Sequence, residues 1–108
     1  MTTNTAVLFR LRSAGDSPLP GITVTARLTG HDIDGGERVA LPTLSAVTDA
    51  AGEATLHLWP NTRGTRGTQY RVEWADATGR RLDSYTITVP ESTAVLHAED
   101  LRGLPAPI

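Results

Sequence analysis

Thr48-Asp49-Ala50-Ala51-Gly52-Glu53-Ala54-Thr55-Leu56-His57-Leu58-Trp59-Pro60-Asn61, resuming at Gly67-Thr68-Gln69-Tyr70-Arg71-Val72, decides the fold. Asp49 and Gly52 mark a tight turn, because an Asp side chain caps the turning backbone and a Gly supplies the positive φ. Ala54, Leu56 and Leu58 then alternate with Thr55 and His57, the period of a half-buried strand. Pro60 stops that strand, a glycine-rich loop follows, and Tyr70 and Val72 open a second alternating strand. This pattern is the middle of a small antiparallel β-sandwich, and it contains no recognisable reaction chemistry.

The same grammar extends in both directions. Upstream, residues 5–12 alternate with Val7, Phe9 and Leu11 on one face, and 13–21 is turn chemistry around Gly15, Pro18, Pro20 and Gly21. Ile22, Val24, Ala26 and Leu28 alternate with Thr23, Thr25, Arg27 and Thr29, whose β-branched threonines suit an exposed pleat. Residues 30–36 read as a polar loop, and Pro42 makes 38–47 an edge strand or extended connection. Downstream, Trp74 joins Tyr70 and Val72 in the core, 76–79 is a hairpin turn, and Leu82, Tyr85, Ile87 and Val89 form the next inward set. Residues 93–97 add a last short strand and 99–104 at most one helical turn. The expectation is an all-β chain: a single antiparallel β-sandwich of about seven short strands, Ig-like or transthyretin-like. Its domain covers 1–103, with an extended C-terminal tail at 104–108.

Composition narrows the function classes. The 108 residues, 39% hydrophobic and 20% charged with a net charge of −2, suit one soluble domain. That balance gives no electrostatic reason to expect nucleic acid or a membrane as partner. The absence of cysteine removes disulfides and thiolate metal sites. All ten basic residues are arginine, so no lysine forms an isopeptide or Schiff base. The first residues show no basic region and no apolar signal segment, and the expectation is synthesis in a host cytoplasm.

Each chemical candidate has a bland counterpart. His31, His57 and His97 are the side chains that titrate near neutrality, and no nucleophile elbow or two-His helical motif accompanies them. The expectation is therefore not an enzyme, with no catalytic residue, metal or cofactor. Asp32-Ile33-Asp34-Gly35-Gly36-Glu37 faintly resembles a calcium loop but lacks its third ligand and terminal bidentate Glu, so a solvated hairpin loop is favoured. Arg63-Gly64-Thr65-Arg66-Gly67 has the glycines of an anion-binding nest with two guanidiniums beside it, but a flexible surface loop is favoured. Continuing the alternation puts Trp59 outward with Thr55 and His57. The favoured expectation, since strand ends often break the alternation, folds it over the sandwich end onto Pro60 or Tyr70. Trp59, Pro60, Asn61, Arg63 and Arg66 are the candidate partner-binding residues.

Two resemblances attach to these residues. Pro20-Gly21-Ile22-Thr23-Val24-Thr25-Ala26 followed by Thr48-Asp49-Ala50-Ala51-Gly52 resembles the transthyretin-like, carboxypeptidase-regulatory-type β-sandwich. More narrowly, residues 20–101 carry Leu56-His57-Leu58-Trp59-Pro60-Asn61, Gly67-Thr68-Gln69-Tyr70-Arg71-Val72, Thr88-Val89-Pro90-Glu91-Ser92 and Glu99-Asp100-Leu101. These are similar to a β-sandwich module of tailed-bacteriophage tail-fibre and head-associated proteins. In that family the module usually sits at the N-terminal, virion-proximal end with further domains behind it; the early stop after residue 101 leads to the expectation of a small virion-attached protein rather than a receptor-binding one. The resemblance implies a non-enzymatic virion structural protein, capsid decoration or a fibre/tail attachment module. Its partners would be other virion proteins (capsid or fibre/tail subunits), with a possible homo-oligomer. The alternative is a carbohydrate- or surface-binding module built on Trp59 and the Arg63 loop.

Overall fold

A computed structural model describes residues 4–12, 15, 17–40 and 42–103. The expected tail at 104–108 lies outside them. The chain is an all-β, sandwich-like fold of nine strands among the described residues. In order they are β1 (Thr5–Arg10), β2 (Thr23–Leu28), β3 (Asp32–Asp34), β4 (Glu37–Val39), β5 (Leu44–Val47), β6 (Glu53–Leu58), β7 (Tyr70–Ala75), β8 (Arg81–Ile87) and β9 (Leu96–His97). A 3₁₀ turn at Asn61–Arg63 and one helical turn, α1 (Ala98–Leu101), complete the fold.

The strands form a three-stranded sheet ordered β6-β1-β9, a four-stranded sheet ordered β5-β2-β7-β8, and the β3–β4 hairpin. Alternation sends Val7 and Phe9 of one sheet toward Val24, Ala26, Val72 and Trp74 of the other, giving one continuous core. Phe9 and Trp74 meet edge to face across the layers, with ring centroids 6.0 Å apart and planes at 71°. The Trp74 indole N–H donates to the Tyr85 hydroxyl at 3.1 Å, so the polar atom that the core takes in is satisfied. β5 is an edge strand, one of the two outcomes that Pro42 leaves open for 38–47.

The turn at 49–52 is built as its residues require. The Asp49 carboxylate accepts from the Ala51 and Glu53 N–H groups, and Gly52 adopts φ 72°. A side chain there would also strike the Leu11 carbonyl, so Gly52 answers both conformation and space.

Three local expectations are corrected. Residues 30–36 are not merely a loop: β3 and β4 pair through Asp34-Gly35-Gly36-Glu37, whose two glycines take φ 60° and 84°, the signs a type I′ hairpin turn requires. Leu82 is exposed rather than inward: it stands three residues before Tyr85, so regular alternation already turns it to the opposite face, and a register shift opposite Trp74 and Ala75 leaves it as the extra residue of a bulge. β9 pairs with β1 in parallel, since the chain after β8 crosses between sheets before entering the strand. Alternation along one strand cannot report the hairpin pairing or the parallel β9, because both depend on the neighbouring strand, whereas the parity of Leu82 is legible from Tyr85 alone.

Candidate functional site

The residues singled out above converge at one end of the sandwich, where β6 ends, the 3₁₀ turn follows, and the 64–69 loop meets the β3–β4 hairpin. Pro60 allows no continued strand pairing, and the chain turns inward at once. Asn61 is the anchor of that turn. Fully buried, it donates from Nδ2 to the Thr68 carbonyl at 2.6 Å and accepts at Oδ1 from the Val89 N–H at 2.6 Å. One side chain thus stitches the loop to the segment after β8. The Tyr70 hydroxyl donates to the Trp59 carbonyl at 2.8 Å, and burial pushes its phenol pKa up.

The glycine-rich loop does form a concave set of donors, and the chain fills it itself. Asp32, with no exposed surface, places its carboxylate there. It accepts from the Arg66 N–H at 2.9 Å, from the Ile33 N–H at 2.7 Å and from the Thr68 hydroxyl. Burial alone would raise its pKa, but the hydrogen bonds from Thr68, Ile33, Arg66 and Thr65 together outweigh it and hold the carboxyl below its ordinary value. Gly64 is required for space: its φ of −75° suits any residue, yet an added Cβ would overlap the Asp32 carboxylate. The solvated-loop expectation for residues 32–37 is therefore corrected at Asp32, and so is the surface loop favoured for residues 63–67, whose donors hold an internal anion.

Asp34, two residues on, serves the second half of the network. It accepts from the Trp59 indole N–H at 3.1 Å and from Arg63 Nε at 3.0 Å and Nη2 at 3.2 Å. Arg63 also reaches Glu91 at 3.3 Å, and the hydrogen bonds and charge of Asp34 raise its pKa. An open cleft of about 440 Å³ lies between the hairpin and this cluster, lined by Glu37, Arg38, Val39, Trp59 and Arg63 among others.

Of the five candidate partner-binding residues, three lie in the interior, and for Trp59 this is the favoured fold-over. Trp59, Pro60 and Asn61 are buried, because β6 ends at Leu58 and the alternation that would point Trp59 outward ends with it. At 6% exposure, the indole offers too little face for a sugar ring to cover. Arg63 and Arg66 are exposed, the first held by two carboxylates. The sequence reading missed the Asp32 and Asp34 contacts. Their signal, acids at alternate positions before a Gly-Gly turn, is visible but names no partner.

The histidines do not join this cluster. His57 and His97 are exposed on the three-stranded sheet, opposite Ala6 and Leu8 of β1, and His31 is exposed ahead of β3. Among the described residues, no three His, Asp or Glu side chains are grouped to hold a metal ion. No helix of the described residues is long and apolar enough to cross a membrane. No protein-family model matches the chain, and no curated protein matches it either.

Proposed function

We propose that this chain is a non-enzymatic structural module of a bacteriophage virion, decorating the capsid or attaching a fibre or tail component. The observation that carries the reading is the internal saturation of the Trp59–Gln69 region. The motif residues resembling the phage module direct their polar groups inward: Asn61 to Thr68 and Val89, Trp59 to Asp34, and Thr68 to Asp32. Such wiring makes a stiff body whose loops hold shape under load, the property a particle component needs. Many copies on a symmetric lattice would then turn modest contacts into firm attachment. The neighbours are other virion subunits, and the protein acts in the particle after synthesis in the host.

The test is quantitative mass spectrometry of gradient-purified particles from the phage or prophage that encodes the chain. A copy number near that of the major capsid protein means decoration, and a few copies per particle mean neck, fibre or tail. Absence from intact particles overturns the reading. The carbohydrate-binding alternative gains the cleft beside Trp59 but loses its stacking surface. Glycan-dependent change in Trp59 fluorescence would revive it.

A further inference from the structure

The face of the four-stranded sheet that points away from the core carries an arrangement unconnected with the Trp59–Gln69 region. Register places Arg27 of β2 directly opposite Arg71 of β7, and both are exposed. Like charges directly opposed on antiparallel strands repel. The other sheet shows the favourable version of the same geometry: Arg10 faces Glu53 across β1 and β6 and bonds it at 3.0 Å. Among the described residues, no carboxylate lies within ion-pair distance of Arg27 or Arg71. Arg71 gives one bond to the Ser84 hydroxyl at 3.2 Å, which leaves most of its donors facing outward.

The surroundings suit a docked partner. Thr25, Ser45, Ser84 and Thr86 occupy neighbouring positions on the face, so small hydroxyl side chains surround the two guanidiniums. Val24, Ala26 and Val72 pack the reverse side of the same strands against the core. The two arginines therefore stand on a stiff backbone platform, and only their side chains remain to be ordered on binding.

We propose that this face docks carboxylate side chains of a neighbouring protein, with Arg27 and Arg71 as paired contacts. Guanidinium forks match carboxylates bidentately, and two adjacent forks match two acids on one surface. Glu73 lies in the next row, opposite Thr25. A polyphosphate chain crossing the sheet would meet that negative charge, as well as a net charge of −2 on the whole chain. A protein surface can set a donor against Glu73 while presenting acids to the arginines. The inference rests on the virion reading only for the neighbour's identity.

The probe is a fluorescently labelled hexaglutamate peptide, followed by anisotropy at about 20 mM salt, where surface charges are weakly screened. The intact protein binds it, and Arg27→Ser with Arg71→Ser weakens binding at least tenfold. A control carrying Arg80→Ser and Arg81→Ser keeps it. Arg27→Glu gives a second readout: it replaces the repulsive cross-strand pair with an attractive one, so the melting temperature rises a few degrees at low salt while peptide binding is lost. Failure of the intact protein to bind, equal loss in the control, or tighter binding of an equally charged polyphosphate would overturn the proposal. None of these results bears on whether the chain is found in particles, so the two readings fail separately.

Discussion

Replacing Gly64 by Ala tests the carboxylate-filled loop more sharply than removing the carboxylate. The backbone at Gly64 has φ −75° and ψ 158°, which alanine adopts without strain, so the substitution carries no conformational penalty of its own. Its whole cost comes from the methyl group, which would occupy the space of the Asp32 carboxylate. The carboxylate must leave, and the Ile33 N–H, the Arg66 N–H and the Thr68 hydroxyl lose their acceptor. At about 1 kcal/mol for each buried donor left unpaired, the loss is about 3 kcal/mol. Asp32→Ala removes the same bonds and costs about as much. Because both act through one event, the double variant should also cost about 3 kcal/mol rather than the sum, a coupling of about 3 kcal/mol. Urea unfolding followed by tryptophan fluorescence reads this directly. With a urea dependence of about 2 kcal/mol per molar, each single variant moves the midpoint down by about 1.5 M, and the double variant moves it no further. A Gly64→Ala protein within about 0.5 kcal/mol of the parent, or a double variant with additive loss, would refute the account.

Other perturbations follow from the same contacts. Asn61→Ala leaves the Val89 N–H and the Thr68 carbonyl unpaired in the interior, and should cost about 2–4 kcal/mol in urea unfolding. Asp32 titrates below its ordinary value of 3.8 in the folded protein, so its contribution is present above about pH 4 and is lost as the pH falls through the folded pKa. Asp32→Asn should therefore be less stable at neutral pH but show a shallower acid limb in thermal melts between pH 5 and 2. Tyr70 is the opposite case. Burial raises its pKa above 10, so stability holds below pH 10 and falls as the pH climbs toward the folded value. Tyr70→Phe should flatten that alkaline limb.

Most of the sandwich was legible because each long strand carries its own evidence. Val7 and Phe9, Ala54 and Leu58, and Tyr70, Val72 and Trp74 all alternate over enough residues to fix the buried face without knowledge of a neighbour. What failed depends on partners. Leu82 is the exception: its three-residue spacing from Tyr85 already puts it on the opposite face, and the bulge opposite Trp74 and Ala75 leaves it exposed. Trp59 keeps the parity of an outward residue, but the strand has already ended one position earlier. Arg27 and Arg71 each read as ordinary exposed positions; their opposition exists only once β2 and β7 are paired.

The candidate site shows the same dependence in a chemically instructive form. Residues 32–37 suggested a cation loop and residues 63–67 an anion nest, two ligand sites of opposite demand about thirty positions apart. In the fold, the carboxylate of Asp32 enters the donors around Arg66 and Thr68, and the carboxylate of Asp34 takes the guanidinium of Arg63. Each motif is the other's ligand. Neither segment has an apolar face broad enough to order itself, so the charge complement replaces hydrophobic packing at this end of the sandwich. It also holds a short three-residue hairpin in place, which on its own would be marginal in water. A pair of motifs that looks like two binding sites in one small chain is therefore to be tested for mutual contact before either is assigned a ligand. Here, the test is whether loss of Asp32 loosens the 64–69 loop, read as faster amide exchange at Arg66 and Gln69. Exchange that stays at the parent rate would mean the loop is held without the carboxylate, and the nest would then be open to an external anion after all.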